Sequence, residues 1–544
     1  MSIATFSVPQ PKNEPVLSYL PGSPERRALR SQIEQMKSTV LEIPLVIGGK
    51  EVRTGDLGEC RCPHDQNQLL ARYHKAGPEE VKAAIEAALN ARQQWQDFPW
   101  EARASIFQKA AELLAGPWRQ KLNAATMLGQ SKNVMQAEID SACELIDFFR
   151  FNTFYAQQIS KEQPSSAPGV WNRLEQRPLE GFVFAVTPFN FTSIAANLPA
   201  APALMGNVVL WKPASSSVYS GWWLMELFKA AGLPPGVINY LPGRGAVVSN
   251  VVLTNRDLVG IHFTGSTKVF QHMWQSVGEN ISKYKSYPRI VGETGGKDFV
   301  FVHESADVDE VVTALVRGAF EYQGQKCSAA SRCYVPDTIW PVIKNRLINE
   351  VAKLRMGDVE DFQALVNAVI DEAAYRRIVK YIEYAKEAPD AEIIAGGGSD
   401  EKQGWFIEPT IVETNSPRFK TMEEEVFGPL LTIYVYESSA FEKTLHLCDE
   451  TSPYALTGAI FAKERKAIVT AAKILKNAAG NFYINDKPTG AVVGQQPFGG
   501  SRASGTNDKA GSMLNLLRWV SPRTIKENFA PPKEVTYPYM APDD

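Results

Sequence analysis

Two periodicities divide the chain. From Pro78 onward, Val81, Ile85, Ala88, Leu89 and Trp95 recur at helical spacing, with proline in the first turn and Glu79 and Glu80 beside the positive end of the helix dipole. Ile106, Phe107, Ala110, Leu113 and Leu114 repeat the pattern, and so does the run from Ala137 to Phe151, which carries Glu138, Asp140, Glu144 and Asp147. The turn-rich stretch Gln163 to Gly169 then closes this helical region. Beyond it, short apolar β-rich runs appear at Gly181 to Thr187, Asn207 to Trp211, Val237 to Leu241 and Val259 to Thr264, each separated from the next by enough chain for a helix. Parallel neighbours need such crossovers, so this alternation predicts a buried parallel sheet. A second strand-helix series runs from Phe299 to about Ile484 and includes Leu430 to Tyr436 and Gly458 to Phe461. Residues 1–40 read as an arm whose one helical stripe is Leu29, Ile33 and Met36. The proline-rich tail from Phe529 is expected to be non-helical and to lie extended over a surface.

Composition narrows the class. A chain of 544 residues, 44% hydrophobic and 22% charged, is an ordinary globular sequence. Its length suits about three to four domain-sized units. A net charge of −3 offers no field for a phosphate backbone, so no nucleic-acid partner is expected. Six irregularly spaced cysteines make no disulfide framework, and no membrane span is predicted. The expected setting is a bacterial cytoplasm, or a mitochondrial matrix if a presequence has been removed. Cys60-x-Cys62-Pro63-His64 lacks a second ligand pair at zinc spacing, so no metal is expected.

The chemistry is concentrated in two motifs, Glu293-Thr294-Gly295-Gly296-Lys297 and Gly324-Gln325-Lys326-Cys327-Ser328. A thiol attacks a carbonyl as thiolate and needs an electropositive setting or a base, and Glu293 is a candidate base for Cys327. Read singly, the cysteine could equally be a small buried hydrophobe and the glutamate a surface carboxylate at a strand end.

These two motifs resemble the nucleophile and base motifs of the aldehyde dehydrogenase superfamily. The resemblance continues in order through Pro188-Phe189-Asn190-Phe191, Trp211-Lys212-Pro213, Phe263-Thr264-Gly265-Ser266, Glu424-Glu425-Val426-Phe427-Gly428-Pro429 and Pro497-Phe498-Gly499-Gly500. It implies an α/β aldehyde dehydrogenase fold with three parts: a doubly wound Rossmann-like cofactor domain, an α/β catalytic domain and a small β oligomerisation element. The implied boundaries are 1–40 for the arm, 41–159 and 181–296 for the NAD-binding domain, 297–514 for the catalytic domain, and 160–180 with 515–544 for the oligomerisation element. In such sheets the ligand crevice is expected beyond the carboxyl ends of the strands. The resemblance further implies Cys327 as nucleophile, Glu293 as the base that activates water, and Asn190 with the Cys327 N–H as the oxyanion site. The cofactor would be NAD, held by Thr187, Pro188, Phe189, Lys212, Ser215, Gly245, Gly265, Ser266, Glu425 and Phe427. Leu241-Pro242-Gly243-Arg244-Gly245 alone is an incomplete glycine fingerprint. Ser215 stands where many NAD-preferring relatives carry a glutamate, so NADP is the weaker alternative.

Asn13-Glu14-Pro15-Val16, the Ala137 to Phe151 stretch and Thr489 to Phe498 resemble the 1-pyrroline-5-carboxylate dehydrogenase branch, stand-alone type. That branch oxidises L-glutamate γ-semialdehyde to glutamate in proline catabolism. The implied substrate residues are Gly490 and Ala491 for the α-carboxylate, Ser328, Glu144 near the ammonium, and Phe191 and Phe498 about the aliphatic stem. Glu144 could equally be a solvated residue of an amphipathic helix. Expected partners are the small-molecule substrate, further copies of the chain in a dimer or higher homo-oligomer, and, transiently, a proline dehydrogenase. The alternatives are oxidation of another short aldehyde, or a catalytically idle homologue.

Overall fold

The computed structural model describes residues 6–543, so the first five residues of the expected arm lie outside the described residues. A seven-stranded sheet runs in the order Arg289–Glu293, Leu258–Thr264, Phe182–Val186, Val208–Lys212, Ile238–Tyr240, Leu45–Ile47 and Lys50–Val52. Its first five strands are mutually parallel, as the alternation of strand and helix runs predicts. The last two are antiparallel additions from the amino-terminal region.

A second seven-stranded sheet orders Ala391–Ala395, Thr410–Thr414, Leu430–Tyr436, Ala330–Pro336, Asp298–Val302, Thr457–Phe461 and Asn481–Ile484. Only the Ala391–Ala395 edge is antiparallel. Its central strands are apolar on both faces because both faces are covered: Phe299 and Phe301 pack into one core cluster, Val300 and Val302 into another. Both predicted series of strands are therefore present.

Helix Pro78–Asp97 buries Val81, Ile85, Ala88 and Trp95, and helix Trp100–Ala115 buries Ile106, Phe107, Ala110 and Leu114. The run beginning near Ala137 is not one regular helix. Val134–Ala137 passes into a π-helical turn, Glu138–Glu144, and then into helix Leu145–Lys161. The wider turn lets acidic side chains point inward: Glu138 and Asp140 are buried, as is Asp147 in the first turn of the helix that follows.

Residues 8–20 lie extended against this region, and helix Pro24–Lys37, capped by Ser23, sinks Leu29, Ile33 and Met36 into the largest core. Val170–Pro178 and Val520–Asn528 pair along their whole lengths as an antiparallel ribbon. Leu516, Trp519 and Val520, expected with the oligomerisation element, join the largest core. The tail departs from expectation in one way: residues 530–543 are exposed and irregular except at Pro538–Met540, which makes a single 3₁₀ turn.

Candidate active site

The two sheets are joined by a very short crossing. Glu293 ends the edge strand of the first sheet, Thr294-Gly295-Gly296-Lys297 bridges the gap, and Asp298 begins the second sheet. Glu293, Thr264 and Lys212 mark the carboxyl edge of the first sheet. Cys327 and Glu425, by contrast, lie in loops that precede strands Ala330–Pro336 and Leu430–Tyr436. The expectation of a crevice beyond carboxyl ends is therefore half corrected: the thiol comes from the amino edge of the second sheet, facing the carboxyl edge of the first.

Glycines permit this convergence. A Cβ on Gly296 would stand 2.2 Å from the Cys327 carbonyl oxygen, and one on Gly295 would stand 2.3 Å from Glu425 Oε2. The Gly296 N–H instead donates to Glu425 Oε1 at 2.9 Å. The Gly-Gly pair after Glu293 is thus the surface on which the cysteine loop and the Glu425 carboxylate both rest. On the other side, the Gly500 N–H donates to Glu293 Oε2 at 3.2 Å, bringing the Phe498-Gly499-Gly500 segment to the same place. Asn190 is buried, and its Nδ2 donates to the Gln325 carbonyl at 3.1 Å, which fixes its amide beside the cysteine loop.

Burial dominates the electrostatics. It pushes the Cys327 thiol well above its ordinary range, with the Asp298, Glu293 and Glu425 carboxylates adding to the effect. Burial likewise raises Glu293 far above the usual carboxylate range; the Gly500 N–H and the Lys509 ammonium oppose it. Asp298 is pushed up to about 8 and Glu425 to about 7, both by burial. Lys297, buried beside them, falls to about 7, and its Nζ has no hydrogen-bond partner among the described residues. Burial thus favours the uncharged form of both groups, and each is the stronger base once ionised.

The residues expected to hold the cofactor are spread along the edge of the first sheet. Lys212 ends its strand, and burial lowers its ammonium to about 8. Ser215 is exposed at the following 3₁₀ turn. Gly245 opens helix Gly245–Val252 onto free space. Gly265 donates its N–H to the Glu293 carbonyl at 3.2 Å, and Ser266 precedes helix Thr267–Glu279 without capping it through its side chain. The Thr187 hydroxyl accepts from the Trp211 indole at 3.0 Å, so its side chain belongs to the core and only its backbone faces the edge. Pro188 follows it, and the Phe189 ring packs edge-on against Phe427, with centroids 5.8 Å apart.

On the substrate side, Ser328 Oγ lies 2.8 Å from Thr489 Oγ1, tying the cysteine loop to the loop that holds Gly490 and Ala491. Gly490 has a φ of +97°, a conformation that favours glycine. Phe498 pairs with Ala510 through both backbone hydrogen bonds. Glu144 is not a freely solvated residue: it lies in the π-helical turn, accepts from Ser193 Oγ at 2.9 Å and is raised by burial to about 8.

Sequence reading missed a buried ion pair between them. Lys132 Nζ sits 2.7 Å from Asp140 Oδ2 and lies over the rings of Phe191 and Tyr322, while Asp140 accepts the Thr192 and Ser193 N–H groups that open helix Thr192–Leu204. The only signal was the acidic content of an otherwise apolar helical run. Cys60 and Cys62 lie buried in strand Leu57–Cys62, and His64 Nδ1 lies 3.2 Å from Ser131 Oγ.

A buried thiol, a carboxylate of raised basicity and an amide donor between two α/β sheets are the parts of a thiol-dependent acyl-transferring enzyme. Residues 52–525 match the Aldehyde dehydrogenase family, and the chain belongs to that family. It is 57% identical over 540 residues to the mitochondrial Delta-1-pyrroline-5-carboxylate dehydrogenase of Dictyostelium discoideum, covering 99% of this chain and 97% of that protein. Among solved structures, the Mycobacterium tuberculosis Delta-pyrroline-5-carboxylate dehydrogenase bound with NAD superposes with a TM-score of 0.96 at 52% identity, covering 99% of this chain and 100% of that one. Proline utilization A from Bdellovibrio bacteriovorus superposes with a TM-score of 0.90 at 29% identity, covering 100% of this chain and 55% of that one.

Proposed function

We propose that the chain oxidises L-glutamate γ-semialdehyde to L-glutamate with NAD, as a step of proline catabolism. The observation that carries this reading is the meeting of Cys327, Glu293 and Asn190 with the Ser328–Thr489 link to the Gly490 loop, which sets a carboxylate-suited loop beside the thiol. The groups on the cofactor side fit a dinucleotide: a buried lysine ammonium, the N–H groups of an uncapped helix start at Ser266, and a carboxylate held over Gly296. NAD, when bound, supplies the acceptor for the hydride that leaves the substrate carbon.

The chain's own residues do the rest. Cys327 gives up its thiol proton to solvent water and adds as thiolate to the aldehyde carbon, and Asn190 Nδ2 with the Cys327 N–H receives the developing negative charge, worth about 3–4 kcal/mol per donor. Collapse of that adduct leaves an acyl thioester on Cys327. Ionised Glu293 removes a proton from water as the water oxygen attacks the thioester carbon and the C–S bond breaks, which releases the acid; the proton then passes from Glu293 to the departing thiolate or to solvent. Burial of Glu293 suits this task, because a carboxylate with a raised pKa is a stronger base once ionised. Glu144 faces the substrate ammonium, Gly490 and Ala491 donate N–H groups to the α-carboxylate, and Phe191 and Phe498 flank the stem.

We read residues 41–159 and 181–296 as the cofactor domain and 297–514 as the catalytic domain. The exposed ribbon of Val170–Pro178 and Val520–Asn528 is the surface through which copies of the chain associate. The likeness to proline utilization A supports a transient contact with a proline dehydrogenase. Six buried, unpaired cysteines support a reducing compartment, bacterial cytoplasm or mitochondrial matrix. The test is a substrate panel read by reduced-nicotinamide absorbance. Glutamate semialdehyde should exceed unbranched aldehydes in kcat/KM by at least about a hundredfold, as expected for a site that pairs two charged groups; equal turnover of both classes would refute the reading.

A further inference from the structure

The loop Gly490–Gln496 is held from outside by the amino-terminal arm. Asn13 Nδ2 donates to Asp147 Oδ2 at 2.8 Å and to the Val493 carbonyl at 2.7 Å, while Asn13 Oδ1 accepts from Gln495 Nε2 at 2.9 Å. All the principal hydrogen-bonding capacity of one amide is used to join two segments far apart in sequence. The arm that carries it is itself pinned. The Glu14 N–H donates to Asp147 Oδ1 at 2.7 Å, and the Glu14 carboxylate meets Arg119 at 2.6 Å and Arg150 at 2.7 Å. The Tyr19 hydroxyl donates to Glu138 Oε2 at 2.9 Å.

The loop is pressed onto the same helix from within. Val493 is buried with Phe148 and Phe151, and a Cβ on Gly494 would stand 2.1 Å from the Phe151 ring. Asp147 lies in helix Leu145–Lys161, directly after the π-helical turn that carries Glu144. Asn13 thus spans the two elements assigned above to opposite groups of the substrate: the Gly490 loop for its carboxylate and the Glu144 turn for its ammonium.

We propose that Asn13 is a positioning residue that sets selectivity for an amino-acid aldehyde by fixing the Gly490–Gln496 loop against the helix of Asp147 and Glu144. It touches neither the thiol nor the cofactor residues. Its effect should therefore fall on aldehydes that carry both charged groups and spare those that carry neither. This inference rests on the substrate reading of the Gly490 loop.

Asn13→Asp keeps the side chain's shape but removes both N–H donors and sets a carboxylate against Asp147 and the Val493 carbonyl. Steady-state kinetics with glutamate semialdehyde and with propanal, on wild type and variant, provide the test. For the semialdehyde, kcat/KM should fall about tenfold or more, chiefly through KM, as loss of charge-assisted hydrogen bonds predicts. For propanal, and for the KM of NAD, the change should stay within about twofold. An equal fall for both aldehydes, or no fall for either, overturns the proposal. Gln495→Ala removes one of the same bonds and should raise the semialdehyde KM by about threefold while leaving propanal within about twofold; if Asn13→Asp does not fold, that selective rise carries the test, and its absence overturns the proposal. A wild type that does not prefer the semialdehyde would defeat the substrate reading itself. A wild type that does, with a variant that keeps that preference, would defeat only the role of Asn13.

Discussion

At the scale of single residues, the proposed function turns on a carboxylate largely withdrawn from water. Glu293 is partly buried at a strand end, and desolvation there holds its pKa well above the ordinary 4.5. The sign for catalysis follows directly: the base is active only after losing its proton, so turnover limited by thioester hydrolysis should rise with pH through a limb above the usual carboxylate range. Glu293→Gln keeps the size and removes the base. Turnover should fall by roughly 10²–10⁴-fold and that limb should vanish from the pH–rate profile. A persistent limb would assign it to another group, Asp298 or Glu425 being the nearest candidates by their raised values of about 8 and about 7. The residue identities of this site were legible in the sequence through the ordered motifs. Their meeting was not, because it depends on the Gly295-Gly296 crossing that lets two loops approach from different sheets.

At the scale of elements, the strands were legible and the helical run after Lys132 only partly so. Apolar runs such as Phe182–Val186 and Asp298–Val302 announce buried strands by composition alone. The π-helical turn at Glu138–Glu144 leaves no such mark, since its register is set by tertiary partners: Arg119 on Glu138, and Lys132 with the Thr192 and Ser193 N–H groups on Asp140. An acidic residue in a helical stretch reads as solvated until those partners are seen. The Lys132–Asp140 pair couples this turn to the helix that follows Asn190 and Phe191. Lys132→Met should leave Asp140 as an unpaired buried charge and destabilise the chain by about 3–5 kcal/mol, measured by denaturant unfolding. Adding Asp140→Asn should restore part of that loss. A single variant as stable as wild type would show that the pair contributes little.

At the scale of the whole molecule, two α/β sheets oppose unlike edges, and one short crossing joins them. The rule that ligands gather beyond strand carboxyl ends held for the first sheet, where Lys212 and Glu293 lie, and not for the second, whose amino edge supplies Cys327 and Glu425. Sequence could locate most of the parallel strands but neither order them within a sheet nor orient one sheet against the other. The ribbon projects from the largest core, in which its end residue Val520 is buried, pairing Leu174 with Thr524 at its middle, with Trp171 half-exposed near one end. Ile525→Pro, at the hydrogen-bonded pair with Arg173 next to it, removes a ladder N–H there. Sedimentation velocity should then show smaller assemblies than wild type, whereas an unchanged assembly would exclude the ribbon as the association surface.

The account depends most on acylation of one thiol. Glu293→Gln protein, mixed with NAD and glutamate semialdehyde and quenched in acid, should accumulate the acyl thioester, because its hydrolysis is slowed while its formation is not. Peptide mass spectrometry should place that acyl mass on Cys327. An unmodified Cys327 in protein that has already produced reduced nicotinamide, or the mass on a different residue, would contradict the mechanism.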